Sequence, residues 1–139
     1  HCMSSAASNV FKRQLISKTS ECKFKSNIFR VYKATKNEKL LGYGVLIKRK
    51  VRSKSAVVLY VISKDSVLKS IEIIAFNEPM EYIPSQSWNA KFENTPVNTM
   101  LRTSREIPTI TGATLSANSI TQGSRIAFAF YNVILKGKE

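Results

Sequence analysis

The stretch from Ala56 to Phe76 reads AVVLYVISKDSVLKSIEIIAF, and it determines which class of fold the chain can adopt. Seven continuously apolar residues come first, the polar residues Ser63–Ser66 follow, and apolar and polar residues then alternate towards Phe76. A buried strand, a tight turn and a half-buried strand produce this pattern. The sequence therefore predicts a β-hairpin inside a larger antiparallel sheet.

The residues before the hairpin predict two more strands and a helix. Asn27–Ala34 is rich in aromatic and β-branched residues, and Leu40–Ile47 carries Gly42 and Gly44 between apolar residues, which suggests a bend or a close backbone approach. Nearer the N-terminus, four apolar residues share one face at helical spacing and predict an amphipathic helix. They are Ala7, Val10, Phe11 and Leu15.

The residues after the hairpin change character. Asn77–Pro84 has a proline near each end and predicts irregular structure, whereas Ser85–Phe92 predicts a short helix. The largely apolar segment Ile120–Leu135 predicts a mostly buried helix. The whole chain, 1–139, is thus expected to be one α+β domain with a twisted antiparallel sheet packed with helices. Within it, 1–39 would be a basic extension and 40–135 the core.

Charge is the most unusual feature of the composition. The chain has 139 residues, 43% of them hydrophobic, and 22 Lys and Arg against 9 Asp and Glu give a net charge of +13. Residues 1–55 hold 14 basic and 2 acidic side chains, net +12, whereas residues 56–139 hold 8 and 7, net +1. This division predicts that the charge serves a partner or surface. It also predicts that the charge lies apart from any site formed by the later residues.

Histidine and cysteine content excludes several kinds of site. The only histidine is His1, so a Ser-His-Asp hydrolase, a Cys-His thiol enzyme and a His-ligated zinc site lack an internal imidazole. Two cysteines cannot supply a four-thiolate metal site. In an oxidising compartment Cys2 and Cys22 could instead pair and close a loop of about 20 residues.

The segment best suited to ligand chemistry lies just before the last predicted helix and reads Thr111-Gly112-Ala113-Thr114-Leu115-Ser116. Gly112 permits unusual backbone angles, and Ala113 leaves little bulk beside the Thr114 hydroxyl. Ser116 can cap the helix, as can Ser119 in capping-box spacing with Gln122. A helix N-terminus then suits a phosphate, although the same residues can also be only a helix cap.

This segment resembles the Ser/Thr-Gly-Ala-Thr motif of the FMN-binding domain family, found in peripheral subunits of the sodium-translocating NADH:quinone reductase and related complexes. In that family the last Thr carries FMN through a phosphoester bond, which a flavin transferase makes from FAD. The resemblance implies that Thr114 is the attachment residue and that Thr111, Gly112, Ala113, Leu115 and Ser116 surround the FMN phosphate.

Three other stretches are similar to the same family and extend the resemblance over roughly residues 40–135. Leu41–Gly44 resembles the start of its first core strand, Asn77–Tyr82 its Glu-Thr-Pro-Gly loop beside the flavin ring, and Trp88–Phe92 its aromatic-x-x-x-Phe stretch. These stretches imply that the cofactor also contacts Glu78, Pro79, Tyr82 and Trp88. The helical spacing of Trp88 and Phe92 also suits two core residues, which is the alternative for Trp88.

The sequence departs from the family pattern before the motif. Many members have Asp six residues ahead of the modified Thr, where this chain has Pro108, and the nearest acid is Glu106. Three alternatives follow: Glu106 substitutes for the Asp, attachment is inefficient, or FMN binds without a covalent bond.

The resemblance implies an extracytoplasmic electron-transfer module. Its partners would be a flavin transferase and either a redox protein or a membrane electron-transport complex, with an anionic membrane surface as a further possible contact. The alternative is a basic module that binds nucleic acid or anionic lipid through Lys48–Lys54, the densest cationic cluster. No helix-turn-helix, zinc-finger or RNA-binding signature accompanies that cluster.

Overall fold

The fold is given by a computed structural model that describes residues 2–3 and 29–135. Its strands form one antiparallel sheet in chain order: β1 (Cys2–Met3), β2 (Phe29–Lys36), β3 (Lys39–Lys50), β4 (Ser55–Ser63), β5 (Val67–Phe76) and β6 (Thr95–Pro96). The helix predicted around Val10 and the pairing proposed for Cys22 lie outside the described residues. The described part confirms the predicted α+β class.

The predicted hairpin is confirmed as β4 and β5. Their register pairs Tyr60 with Ile71, and the turn is closed by a hydrogen bond from the Ser66 amide to the Ser63 carbonyl at 3.1 Å. The strand predicted over Leu40–Ile47 is longer at its C-terminal end, since pairing with β4 continues as far as Lys50 opposite Ser55. Cross-strand pairing thus extends the strand into the first residues of the cationic cluster.

One long helix covers the inner face of this sheet. It is α2 (Thr114–Phe130), followed by a single π-helical turn over Tyr131–Leu135. The Tyr60 hydroxyl donates to the Ile120 carbonyl at 2.8 Å, and the Tyr131 and Ser66 hydroxyls lie 2.9 Å apart. Helix α2 therefore begins at the end of the sheet where β3 turns into β4 and ends near the turn between β4 and β5.

The start of α2 differs from the prediction. The helix begins at Thr114, six residues before Ile120, and its N-cap is Ala113, which has no side-chain capping bond. Ser116 and Ser119 are buried inside the helix, where the Ser119 hydroxyl donates to the Lys50 carbonyl at 3.2 Å. The predicted caps at Ser116 and Ser119 are wrong because the helix begins before both serines. Their small side chains instead let the first turns of α2 pack closely against the sheet.

The connection between β5 and α2 contains only short helical pieces. A 3₁₀ turn spans Met80–Tyr82, α1 spans Gln86–Asn89, and a second 3₁₀ turn spans Ala90–Phe92. The Ser85 hydroxyl caps α1 by accepting from the Trp88 amide at 3.2 Å. The predicted Ser85–Phe92 helix is thus confirmed as two consecutive helical turns. Within them the rings of Trp88 and Phe92 pack edge to face, with their centroids 5.1 Å apart.

Substituting Gly123 tests how tightly α2 packs on the sheet. A Cβ at this position would collide with the Tyr60 hydroxyl, so Gly123→Ala should lower the free energy of unfolding by about 1–3 kcal/mol. Urea unfolding followed by Trp88 fluorescence measures the loss. In a Tyr60→Phe background, which removes the colliding oxygen, the same substitution should cost less. An equal cost in both backgrounds would show that the collision is not the cause.

Candidate functional site

A cavity of about 270 Å³ lies at the end of the sheet where α2 begins. Three segments that are distant in the sequence form it: the turn between β3 and β4, the loop after β5, and the first turn of α2. The residues that line it are Val51, Arg52, Glu78, Tyr82, Gly112, Ala113, Thr114, Leu115 and Ser116.

The chain enters α2 through a tight turn. The Ala113 amide donates to the Ile110 carbonyl at 3.0 Å, and Gly112 between them has φ of 81°, which side chains other than glycine rarely adopt. A Cβ on Gly112 would meet nothing within 4 Å, so this position requires glycine for its backbone angle and not for space.

The first turn of α2 presents free backbone donors to the cavity. The first amides of any α-helix lack carbonyl partners within the helix, and no side chain caps this one. The amides of Thr114, Leu115 and Ser116 therefore form the positive end of the helix dipole, and no side-chain oxygen caps them. The Thr114 side chain is exposed beside them. This arrangement suits an anion.

Glu78 joins two of the segments that form the cavity. One carboxylate oxygen of Glu78 accepts from the Lys54 amide at 2.6 Å, the Ser53 amide at 2.8 Å and the Ser53 hydroxyl at 3.3 Å. These bonds, led by the one from the Lys54 amide, lower the pKa of Glu78 despite its partial removal from water. Glu78 is therefore an ionised anchor that holds the loop after β5 against the β3–β4 turn.

Arg52 and Tyr82 complete the cavity opposite α2. Arg52 is exposed and belongs to the β3–β4 turn, whereas Tyr82 is half-buried at the end of the 3₁₀ turn that follows Pro79. Glu78 keeps its negative charge when backbone amides bind it, and the Arg52 guanidinium together with the positive end of α2 outweighs that single charge. The cavity is thus electropositive, with aromatic and aliphatic surface from Tyr82, Val51 and Leu115.

Most of the residues singled out by sequence come together here. Seven line the cavity: Glu78, Tyr82, Gly112, Ala113, Thr114, Leu115 and Ser116. Pro79 and Thr111 are exposed neighbours in the chain that do not line it. Trp88 is buried against Phe92 and donates its Nε1–H to the Pro108 carbonyl at 2.8 Å. Trp88 therefore supports the segment that leads to Thr114 and is not part of the cavity wall.

Sequence reasoning missed Val51 and Arg52 because it treated the basic N-terminal part as separate from the later residues. That separation is wrong: the β3–β4 turn, which belongs to the basic part, lines the same cavity as the start of α2. The strand β4 could have indicated this position, because a β3 long enough to pair with all of β4 must continue to Lys50. Its turn, with Val51 and Arg52, then lies at this end of the sheet.

Metal-ligand clusters and membrane-spanning helices are not found in residues 2–3 and 29–135. No group of three or more His, Cys, Asp or Glu side chains among them could hold a metal ion. Within the same residues, none of the helices has the length and apolar character needed to cross a membrane.

Comparison with known proteins gives no assignment. No protein-family model matches the sequence, and no curated protein does.

The Glu78 anchor makes a prediction about pH. The pKa of Glu78 in the folded protein lies below its ordinary value of 4.5, so the stabilisation that Glu78 provides is fully present above pH 4.5. The contribution is lost as the pH falls through the lowered pKa. Glu78→Gln should therefore reduce stability at neutral pH and weaken the dependence of unfolding free energy on acid, as measured by urea unfolding between pH 7 and 3.

The matched control is Glu81→Gln, which removes an exposed carboxylate from the same loop. This variant should keep the acid dependence of the unaltered protein. Identical pH profiles for the Glu78 and Glu81 variants would contradict the anchoring role.

Proposed function

We propose that this chain is an FMN-carrying electron-transfer domain, with the flavin attached through its phosphate to Thr114. The observation that carries the proposal is the meeting of two separate sequence features at one cavity. Glu78 and Tyr82 come from the stretch that resembles the family's flavin loop, and Gly112–Ser116 comes from the attachment motif. About thirty residues separate the two stretches in the sequence, and the fold brings them to one cavity.

The residues at the start of α2 fit a phosphate. No side chain caps its first amides, the Thr114 residue beside them is exposed, and Arg52 supplies a cation to the lining of the same cavity. Hydrogen bonds from backbone amides at a helix N-terminus, supported by a guanidinium, are a common way to hold a phosphate. Attachment would form a bond from the Thr114 Oγ to the phosphorus of the FMN half of FAD. The pyrophosphate bond would break, AMP would leave, and the hydroxyl proton would be released.

The rest of the cavity fits the edge of an aromatic ring better than a whole ligand. Sites that enclose a drug-sized ligand have volumes of about 300–1,000 Å³, and this cavity lies just below that range. Tyr82, Val51 and Leu115 offer apolar surface, while part of any bound flavin would remain outside. Such exposure suits a carrier that exchanges electrons with another molecule.

When bound, FMN would supply the redox chemistry, and the chain would bind, orient and tune it. The electropositive walls formed by Arg52 and the α2 N-terminus would favour anionic forms of a flavin, whereas the apolar surface of Tyr82 and Leu115 would disfavour them. A covalent tether would keep the cofactor in place outside the cytoplasm, where free flavin is scarce. We therefore propose an extracytoplasmic location and a flavin transferase as the partner that loads the domain.

The departure at Pro108 concerns attachment more than binding. Its carbonyl is held by Trp88, which fixes the backbone six residues before Thr114. The nearest acid, Glu106, is exposed and follows Arg105 in a turn between Thr103 and Ile107. Glu106 is thus accessible to a transferase in place of the usual Asp.

Covalent attachment can be seen directly on a denaturing gel. After co-expression with a flavin transferase of the family, the chain should give a flavin-fluorescent band, and Thr114→Ala should give a dark one. Thr109→Ala, which removes an exposed hydroxyl outside the motif, should remain fluorescent. A fluorescent Thr114→Ala band would overturn the assignment of the attachment residue. Absence of both covalent and reversible flavin binding would overturn the proposed function.

Arg52 can be tested by reversible binding to the unmodified chain. Hydrogen bonds to charged groups contribute about 1.5–3 kcal/mol, so Arg52→Gln should weaken FMN binding roughly tenfold or more. Riboflavin, which lacks the phosphate, should bind the variant and the unaltered chain equally. Lys64→Gln removes the same charge at the opposite end of the sheet and should leave FMN affinity unchanged. Equal losses for FMN and riboflavin would show that Arg52 does not recognise the phosphate.

A further inference from the structure

The two ends of the sheet differ in charge. At the end that holds the cavity, the end of β3 and its turn contain five basic residues, of which Arg49 donates to Gln122 on α2. The other four stand at alternate positions; we call them the basic rim, and they are Lys48, Lys50, Arg52 and Lys54. The acidic side chains in the adjoining loop are Glu78, whose carboxylate is bound by backbone amides, and the exposed Glu81. The four cations of the basic rim outnumber these two carboxylates, so this end of the sheet keeps a net positive charge.

The opposite end has mixed charge. In its two turns Glu38 lies between Lys36 and Lys39, and Asp65 follows Lys64. Opposite charges there compensate one another locally, so the concentration of positive charge belongs to the cavity end of the described residues and is not a uniform property of the sheet.

The same end carries exposed apolar side chains. The described residues include five large hydrophobic side chains that are exposed, and three of them lie in segments that form the cavity. Met80 is 71% exposed and Ile83 36%, both in the loop that contributes Tyr82, and Leu115 on the first turn of α2 is 49% exposed. Apolar side chains left in water beside a site are typical of an interaction surface.

We infer that the cavity end is the docking surface for a protein electron carrier whose own surface has acidic residues around an apolar contact area. The inference rests on the proposed function and names the partner class for the same site. Met80 and Leu115 supply the apolar contact, and the lysines of the basic rim attract the acidic residues. Such complementarity accelerates encounter and permits rapid release, as transient electron transfer requires.

A protein partner fits this surface better than a membrane. The exposed apolar residues come from two segments, the loop after β5 and the start of α2, and the cavity lies between those segments. Insertion into lipid would bury the cavity mouth, which is where a bound flavin must meet its partner. Acidic side chains of a protein can instead pair with the basic rim at one side of the mouth while an apolar area covers Met80 and Leu115.

The test uses a small acidic ferredoxin as the probe and mitochondrial cytochrome c, a basic carrier, as the opposite-charge comparison. Binding to the flavin-free full chain is measured by titration calorimetry at low and high salt, and electron transfer is measured with the flavin-loaded chain. The variant Lys48→Gln/Lys50→Gln/Lys54→Gln removes three charges from the basic rim. The control Lys33→Gln/Lys36→Gln/Lys39→Gln removes three charges from β2 and the opposite end of the sheet.

We expect ferredoxin to bind and cytochrome c not to bind. Neutralising the basic rim should reduce ferredoxin affinity and the electron-transfer rate constant roughly tenfold at low salt, and the difference should vanish at high salt. The control variant should behave like the unaltered chain. Met80→Gln should weaken binding at both salt concentrations, because an apolar contact is not screened.

Three results would overturn the inference: equal losses in the two triple variants, unchanged affinity in the rim variant, or binding to anionic vesicles or single-stranded DNA through the rim without binding to ferredoxin. Failure of the chain to take up flavin would instead refute the proposed function. The binding measurements need no flavin, so they would still decide whether the surface docks an acidic protein.

Discussion

The position of α2 on the sheet depends on the close contact between Gly123 and Tyr60. The Tyr60 side chain is fully buried and donates its hydroxyl hydrogen to the Ile120 carbonyl, so it fixes both the depth and the register of the helix. Burial raises the pKa of Tyr60, with Arg49 opposing the shift, so the hydroxyl keeps its proton and remains a donor. Only a residue without a side chain lets the helix approach to that distance.

This contact also determines where the helix begins. With Ile120 held over Tyr60, the preceding turns of α2 reach the end of β3, where Ser119 donates to the Lys50 carbonyl. One turn further along the helix, Gln122 accepts from Arg49 at 2.8 Å. The uncapped amides at Thr114–Ser116 are therefore brought beside the β3–β4 turn by packing in the middle of the helix, and the cavity is a consequence of that packing.

The sequence predicts the parts of this fold that depend on local pattern. The β4–β5 hairpin follows from its apolar run and alternation, and the α1 region follows from Ser85 and the spacing of Trp88 and Phe92. The start of α2 could not be predicted in this way, because Ser116 and Ser119 look like caps in sequence but serve to pack the helix closely. The spacing of Trp88 and Phe92 suits their burial, but the hydrogen bond from Trp88 to Pro108 was hidden because it joins residues 20 positions apart.

In the candidate site, too, some residues can be predicted from their neighbours in the sequence and others only from the pairing of distant strands. Gly112 and Thr114 are recognisable from neighbouring residues, whereas Arg52 enters the site only through the register of β3 with β4. In the turn that contains Arg52, the hydrogen bonds to the Glu78 carboxylate come from backbone amides and the Ser53 hydroxyl. The cations of the basic rim are therefore not needed to hold this acid, and they outnumber the carboxylates of the adjoining loop. One short turn can thus hold its neighbouring loop in place and still give the mouth of the cavity a net positive charge.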